Sequence, residues 1–166
     1  AYMDEVWLGL TKTPSESIAK AEAMVQKVIA IEGYTARVNA ILGWIYFLKR
    51  DFDKALAHAE KAVQQSPNYA NAYLSLGMAL RTNGQYEAAV SNFKKALQLN
   101  PVRPLNQLNN LAWAYLGSQQ HEKAISIWNE TIERNPDYFF AHQGLTAAHW
   151  LKGSEDEARQ SAKHVL

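Results

Sequence analysis

Residues 70–104 read ANAYLSLGMALRTNGQYEAAVSNFKKALQLNPVRP, and the spacing of their apolar side chains indicates the secondary structure of the chain. Apolar residues recur about every 3.6 positions in two separate runs, which is the period of an amphipathic helix. Between the runs lies TNGQ, in which Asn83 and Gly84 are typical of a turn. The stretch is therefore expected to fold as two antiparallel helices.

The same pattern returns at a fixed period along the chain. A leucine followed by a small or polar residue recurs in steps of 34, 34, 35 and 34 residues, at Leu8, Leu42, Leu76, Leu111 and Leu145. An alanine stands 13 residues after each leucine, at Ala21, Ala55, Ala89, Ala124 and Ala158. Prolines preceded by polar residues mark the ends of units, at Pro67, Pro101 and Pro136. Three markers in one register indicate an internal repeat of a helix pair.

Side-chain size is patterned as well as polarity. Small residues beside the leucine and at the alanine position let two helices approach closely, while Phe93 and Trp128 are expected to fill the wider gap toward the next pair. One pair cannot bury both of its faces, so the pairs are expected to stack. Stacking with a small rotation per pair gives a curved solenoid with a concave face.

The motif Tyr73-x2-Leu76-Gly77-x2-Leu80, Ala89-x3-Phe93, Ala96, Pro101 resembles the tetratricopeptide repeat (TPR). The resemblance covers nearly the whole chain. It implies an all-α, TPR-type α-solenoid of antiparallel helix pairs wound as a right-handed superhelix. A single array over 1–166 is expected, with four clear repeats and a divergent N-terminal one in which Gly33 takes the place of the proline: 36–69, 70–104, 105–138, 139–166 and, divergent, 2–35.

A narrower resemblance concerns the stretch TPSESIAKAEAMVQKVIAIE, the run from Ala55 to Val63 and the segment NPVRPLNQLNNLAWAY. They are similar to the TPR region that follows the catalytic domain of some bacterial class III adenylate or guanylate cyclases. This resemblance implies the regulatory or scaffold segment of a signalling enzyme, without the enzyme itself. The start on Ala1 agrees with a fragment of a longer protein.

Composition narrows the possible partners. The formal net charge is +1, from 17 basic and 16 acidic side chains, which gives no electrostatic reason to expect nucleic acid. Without cysteine there can be no disulfide or thiolate metal site. The longest apolar run, AILGWIYFL, is far shorter than the roughly 20 residues of a membrane span. We find no targeting signal, so a cytoplasmic location is the default expectation.

In the TPR architecture the first helix of each pair lines the concave face. The candidate site for a peptide or protein partner therefore combines amides, large apolar side chains and two arginines: Arg37, Trp44, Asn71, Met78, Arg81, Asn106, Asn109, Trp113, Gln143 and Trp150. Amides can pair with the backbone of an extended peptide, tryptophan offers apolar contact, and arginine can receive a carboxylate. The alternative is that the tryptophans pack between helices and that the arginines are solvated surface charges.

Some TPR proteins grip a C-terminal carboxylate with a recurring Lys and Asn set in their first helices. Here the matching places hold other residues, so that clamp is not expected: Ala40, Leu74, Asn109 and Gln143, then Trp44, Met78, Trp113 and Ala147.

Neither a metal, a cofactor nor catalysis is expected of this chain. It has no phosphate-binding glycine loop, no HExxH and no nucleophile motif. His142 and His149 occupy places of core aromatics, and His58, His121 and His164 have no consistent partner. The Asn129-Glu130-Thr131 sequon lies within a helix and is discounted. Acidic residues at helix starts are read as caps, and Ser154 with Glu157, like Thr13 with Glu16, predicts a capping box.

Two function classes follow from this reading. The first is a non-catalytic interaction module that binds a peptide or protein in the concave groove. The second is a structural module that associates through its terminal helices, including as a homodimer. For the second, the last helix offers an apolar face with Ala158, Ala162 and Val165, and the first repeat offers Trp7 and Leu8.

Overall fold

The computed structural model describes residues 14–165 and divides into two compact units, Ala1–Asn83 and Gly84–Leu166. All regular structure in the described residues is helical. The first unit contains α1 (Pro14–Glu32), α2 (Ala36–Leu48), α3 (Phe52–Gln65) and α4 (Ala70–Thr82). The second contains α5 (Tyr86–Leu99), α6 (Leu105–Gly117), α7 (His121–Arg134), α8 (Phe139–Leu151) and α9 (Glu155–Ala162).

Helix lengths follow the sequence period. The first helices of the clear repeats, α2, α4, α6 and α8, have 13 residues each, and the second helices α3, α5 and α7 have 14. The all-α prediction and the helix-pair pattern are therefore confirmed. Between residues 14 and 165, none of the helices has the length and apolar character that crossing a bilayer requires.

The turn inside each pair uses one residue in the left-handed region. This residue is Gly84 after α4 (φ 73°) and Gly153 after α8 (φ 78°), but Arg50 after α2 (φ 60°) and Gln119 after α6 (φ 61°). Glycine adopts this conformation without steric cost, whereas a residue with a Cβ is strained by it. The turn at Gly84 falls where the sequence predicts it.

The core of the first unit depends on close approach of helices. Gly43 of α2 faces Ser75 of α4 so tightly that a Cβ on Gly43 would collide with the Ser75 hydroxyl. The same hydroxyl donates a hydrogen bond of 3.2 Å to the carbonyl of Ala40, which satisfies it inside the core. Ala59 of α3 is fully buried beside them. Small side chains at these positions therefore bring α2, α3 and α4 together.

The core of the second unit is built around one large side chain. Trp128 of α7 is fully buried and packs in a cluster of alanines and leucines: Ala112, Leu116, Ala124, Ala141, Leu145 and Ala148. Gly144 of α8 lies against its indole ring, and a Cβ on Gly144 would meet ring atoms. Size complementarity between Trp128 and Gly144 thus seats α8 on α7, as the patterning of side-chain size predicts.

Side-chain caps form at the starts of α2 and α3, and one capping box expected from the sequence does not form. The side chain of Thr35 accepts a hydrogen bond from the amide of Val38 before α2, and Asp51 does the same for Lys54 before α3. The capping box predicted from Ser154 is wrong, because its side chain makes no cap hydrogen bond and the acidic first turn of α9 begins without it. Thr13 lies outside the described residues.

The extra residue of the 35-residue step lies in the connection 100–104, which is one residue longer than the connections 66–69 and 135–138. Arg103 adopts a left-handed backbone (φ 47°) there. Its guanidinium pairs with Glu130 (Nη1 to Oε1, 3.1 Å), and its carbonyl accepts a 2.8 Å hydrogen bond from Arg134. Glu130 and Arg134, both on α7, therefore fix this longer connection to α7.

Candidate functional site

The second residue of three of the four described first helices is the clearest accessible feature of the candidate site, whereas α8 has the half-buried Phe140 at this position. Arg37, Asn71 and Asn106 hold this position in α2, α4 and α6, and all three side chains are exposed. The residue after each of them is buried, namely Val38, Ala72 and Gln107. Each of these three helices therefore exposes a polar side chain at its second position and buries the side chain at its third.

The exposed residues make few contacts of their own. The Asn71 amide donates a weak 3.3 Å hydrogen bond to the Tyr69 hydroxyl. Asn106 is exposed, although its backbone carbonyl accepts a 2.9 Å hydrogen bond from the Asn110 amide, which is buried. The Asn106 side chain thus remains exposed to solvent, while the Asn110 amide forms a hydrogen bond within α6.

The aromatic members of the site divide between packing and exposure. Trp44 is half-buried and lies edge-on to Phe47, with ring centroids 6.1 Å apart. Trp113 is half-buried and lies edge-on to Trp128 at 5.3 Å. Trp150, by contrast, is 62% exposed. Arg81 is half-buried on the last turn of α4. The alternative that the tryptophans pack between helices therefore applies in part to Trp44 and Trp113, and it does not apply to Trp150.

Two predicted site residues are inaccessible, which corrects the sequence interpretation. Met78 is 2% exposed and Asn109 is 1% exposed, so a ligand cannot reach either side chain in this structure. The Asn109 Oδ1 instead accepts a 2.9 Å hydrogen bond from the Trp128 indole N–H inside the core of the second unit. A buried indole N–H needs an acceptor, and Asn109 supplies it.

The structure brings Gln143 and Trp150 together in one open apolar cleft. Both line a cleft of about 330 Å³ between α8 and the chain around the end of α9, with Thr146, Ala147, Ala162 and, in the turn after α9, Val165 completing the lining. Gln143 is exposed and supplies an amide at the edge of this apolar surface. The cleft is a concave feature that the described part of the second unit offers to a ligand.

Thr146 was missed by reasoning from the sequence. The signal was available, because the residue after the repeat leucine is Gly43, Gly77 or Ala112 in the other pairs and a β-branched Thr146 here. Ala162 and Val165 were singled out only as an uncovered face and were not linked with Trp150. Ala158, which was grouped with them, is 3% exposed and belongs to the core.

Three of the five histidines have structural partners, and for two of these none was expected. His142 is buried and its Nε2 lies 2.7 Å from the Pro136 carbonyl, and the exposed His164 stacks on its ring at 4.4 Å. His58 Nδ1 lies 2.8 Å from Asn39 Oδ1, and the His58 ring stacks on Tyr46. No group of three His, Asp or Glu side chains in residues 14–165 is arranged to hold a metal ion.

Burial and charge both act on His58. Burial lowers the pKa of the His58 imidazole, and the positive charge of Lys61 lowers it further. Because the Asn39 amide donates to Gln65 Oε1 at 2.9 Å, its Oδ1 is the atom that accepts from His58. The neutral Nδ1–H tautomer therefore fits this network, which joins α2 and α3.

Three profiles described as tetratricopeptide repeat match the sequence, at residues 36–69, 70–101 and 110–138. Together they cover more than half of the chain, and each lies within one of the repeats expected from the sequence period.

Similar proteins come from several kinds of assembly. Anaphase-promoting complex subunit 3 of Schizosaccharomyces pombe is 26% identical over 114 residues, covering 69% of this chain and 17% of that protein. Photosystem I assembly protein Ycf3 of Synechococcus is 27% identical over 97 residues, covering 56% of each. This chain thus spans between about a sixth and just over a half of the length of these relatives.

A solved structure, that of MamA, resembles the whole fold. It superposes with a TM-score of 0.72 at 26% sequence identity, over 93% of this chain and 90% of that chain. The solenoid fold class expected from the repeat pattern is confirmed by this likeness together with the helix-pair geometry.

Proposed function

Since this chain belongs to the tetratricopeptide repeat family, we propose that it is a non-catalytic interaction module that holds a peptide or protein partner against its first helices. The observation that carries the proposal is the repeated exposure of one polar side chain at the second position of three first helices. Arg37, Asn71 and Asn106 are exposed there beside buried neighbours. Amide and guanidinium groups can pair with carbonyls of a bound chain, and the amides also with its N–H groups.

The remaining members of the proposed surface follow from accessibility. Trp44, Arg81 and Trp113 are half-buried and can contribute an edge or a face, while Gln143 and Trp150 are exposed. Met78 and Asn109 are not part of it, because a partner would have to break the core to reach them. Partly exposed tryptophan and arginine are common centres of binding energy in protein interfaces.

Similarity to other proteins supports the class of function and leaves the partner open. A subunit of the anaphase-promoting complex and a photosystem assembly protein are among the relatives, and both are named for multi-protein assemblies. The attachment of this chain to a nucleotide cyclase stays a prediction from sequence resemblance. Reading the flanking gene sequence for a cyclase domain tests it.

Affinity capture with quantitative mass spectrometry tests the interaction surface. The bait carrying Asn71→Ala and Asn106→Ala should lose specific partners roughly tenfold relative to the unaltered chain, because exposed hydrogen-bonding groups are removed without disturbing the core. A matched bait carrying Lys61→Ala and Asn129→Ala changes two exposed polar residues of the second helices α3 and α7. Equal capture by the two altered baits would place the partner elsewhere.

A second candidate function is association through the first unit. On α1, Met24 and Ile31 are exposed, Ile31 to 85%, and seven residues apart they fall on one helix face. Large exposed apolar side chains in one place favour an interface. Light scattering should then find a dimer that Ile31→Lys dissolves, and a monomer at high concentration would reject this candidate. Trp7 and Leu8, the other residues expected at this end, lie outside the described residues.

A further inference from the structure

The turn after α4 contains the only asparagine of the chain that a glycine follows, Asn83–Gly84. Both residues are exposed. Gly84 adopts φ 73°, and no atom lies within 4 Å of the place where its Cβ would stand. The main-chain nitrogen of Gly84 therefore lies next to an exposed side-chain amide, without the steric shielding that a side chain on residue 84 would give.

Five of the other asparagines are protected by burial or by the residue that follows them. Asn39, Asn109 and Asn110 are at most 2% exposed, so water does not reach their side-chain amides freely. Asn100 and Asn135 precede proline, and a proline nitrogen has no N–H to lose. These five therefore lack either an accessible amide or a nucleophilic main-chain nitrogen.

The remaining five asparagines are followed by a residue that has a side chain and whose N–H is held in a hydrogen bond. Asn92 and Asn129 lie inside α5 and α7, where the next N–H belongs to the helix. After Asn68, Asn71 and Asn106 the bonds run from Tyr69 to the Ser66 carbonyl (3.1 Å), from Ala72 to the Tyr69 carbonyl (3.0 Å) and from Gln107 to the Pro104 carbonyl (3.0 Å). Asn83 is thus the asparagine that the structure protects least.

Reaction at Asn83 requires the turn to open. The backbone of Asn83 (φ −86°, ψ 11°) closely matches that of Ser118 (φ −85°, ψ 14°) in the turn after α6. There the next residue, Gln119, donates its N–H to the Leu116 carbonyl at 3.0 Å. A peptide plane in this conformation must rotate before its nitrogen can reach the side-chain carbon of a preceding asparagine. An exposed last turn of a helix opens at little cost, and glycine permits the rotation.

We propose that Asn83 is a site of spontaneous modification in the folded chain, at which the Gly84 nitrogen converts the side-chain amide into a succinimide that water opens to aspartate or isoaspartate. The proposal goes beyond the interaction function and does not rest on it. The reacting groups all belong to this one turn, and the co-reactant is water.

Each bond change in the reaction can be assigned to an atom. The Gly84 nitrogen loses its proton to hydroxide and attacks Cγ of Asn83, so that a C–N bond forms. The bond from Cγ to Nδ2 breaks, and Nδ2 takes up a proton and leaves as ammonia. Water then cleaves one of the two C–N bonds of the ring: cleavage at Cγ gives aspartate, and cleavage at the main-chain carbonyl carbon gives isoaspartate. Nothing is oxidised or reduced.

Both products change the end of α4. A carboxylate replaces the neutral amide at the C-terminal end of the helix, where the helix dipole disfavours negative charge. In isoaspartate the main chain also runs through the former side chain and is longer by one carbon atom. The modified turn therefore differs from the original in charge and in backbone length.

Peptide mapping by mass spectrometry tests the reaction on the folded chain, sampled over time at neutral and at mildly alkaline pH. Residue 83 should gain the mass difference between NH2 and OH and yield both aspartate and isoaspartate. The rate should rise with pH because the attacking nitrogen must lose its proton. Gly84→Ala should slow the reaction roughly tenfold, which corresponds to about 1.4 kcal/mol of barrier, because its Cβ shields the nitrogen.

Two further variants separate the effect of the turn from that of the dipeptide without changing residue 84. Lys152→Asn creates the same dipeptide in the turn after α8, where Gly153 adopts φ 78° and also has open space around it. The matched control is Gln143→Asn, which creates it inside α8, where Gly144 lies against the Trp128 ring. In the folded chain the first should react within roughly tenfold of the rate at Asn83, and the second should be slower still by at least roughly tenfold.

Urea-unfolded samples of the same chains supply the reference, because all three dipeptides should react there at similar rates. An Asn83 that stays unmodified in the folded chain while the unfolded chain reacts would overturn the proposal. Equal rates at the turn and helix positions of the folded variants would do so too, since the turn would then have no effect. Aspartate without isoaspartate would exclude the succinimide. None of these outcomes alters the capture dependence on Asn71 and Asn106, so the two proposals fail separately.

Discussion

The indole N–H of Trp128 donates a 2.9 Å hydrogen bond to Oδ1 of Asn109, and both side chains are buried in the second unit. The pair joins α6 to α7 in the middle of an otherwise apolar cluster. Removing the acceptor leaves a buried donor without a partner, which costs about 1–3 kcal/mol.

Asn109→Ala should therefore lower the free energy of unfolding by about 2 kcal/mol. Urea denaturation followed by Trp fluorescence measures it. The control is Asn106→Ala, one turn away and exposed, which should change stability by no more than about 0.5 kcal/mol. Equal effects of the two substitutions would contradict the structural role of Asn109. In Asn109→Ala/Trp128→Phe the loss should be smaller than the sum of the single losses, because the hydrogen bond is removed only once.

Gly144→Ala should destabilise the second unit although alanine favours helices. The new Cβ would overlap the Trp128 ring, and a fully buried indole has no free space to move into, so a loss of about 1–3 kcal/mol is expected. Thermal melting measures the change. In a Trp128→Leu background the same substitution should be neutral or stabilising, since the overlap is gone and helix propensity improves by about 1 kcal/mol. An equal loss in both backgrounds would show that Trp128 is not the cause.

Gln119→Gly should stabilise the chain by about 0.5–1 kcal/mol, because Gln119 is exposed and adopts φ 61°, where glycine is not strained. The reciprocal change is Gly84→Ala, at φ 73° with no atom near the added Cβ, so any loss there comes from the backbone alone. Chemical denaturation of both variants checks the pair. Opposite signs are expected, and a destabilised Gln119→Gly chain would refute the strain at this turn.

Stability should fall as the pH drops below about 6.5, in part because of His58. The pKa of His58 is lowered by burial and by Lys61, so the unfolded chain binds a proton at a higher pH than the folded chain does. The contribution of neutral His58 is therefore complete above the unfolded pKa and is lost as the pH falls toward the folded pKa. Urea denaturation between pH 5 and 8 should show a flatter profile for His58→Gln.

Lys61→Gln supplies the second arm of that experiment. It removes the second cause of the lowered pKa, so the stability of this variant should depend less on pH than that of the unaltered chain while His58 still titrates. Parallel profiles for all three chains would mean that the folded state does not discriminate against protonated His58.

The fold could be predicted from the sequence because its signals are local and repeated. The spacing of leucines, alanines and prolines predicts the helix pairs, and the predicted turn at Gly84 has the left-handed backbone that glycine favours. Even the small residue against Trp128 follows the expected pattern of size. A single array over 1–166 stays a prediction.

The site was less predictable because a helical position does not reveal what its side chain faces. Asn106 and Asn109 are three residues apart on one helix, yet the Asn106 side chain is exposed. The Asn109 side chain is buried and accepts a hydrogen bond from Trp128, 19 positions later. Nothing in the run LNQLNNLAW indicates that partner. The cleft depends on Thr146 and Ala162 together, on two helices, and a reading of each helix alone does not combine them.

The edge-on pair of Trp113 and Trp128, 5.3 Å apart at an angle of 76°, has an optical consequence. Two indole rings held in one fixed edge-on contact lie in an asymmetric environment, and they should give the second unit a near-ultraviolet circular dichroism signal. That signal requires fixed tertiary packing and disappears when packing is lost, even where helices persist. Among the described residues of the first unit, Trp44 has its edge-on contact with Phe47 and not with a second tryptophan. Loss of this signal therefore reports the loss of side-chain packing around Trp128 separately from the loss of helices, which far-ultraviolet circular dichroism follows.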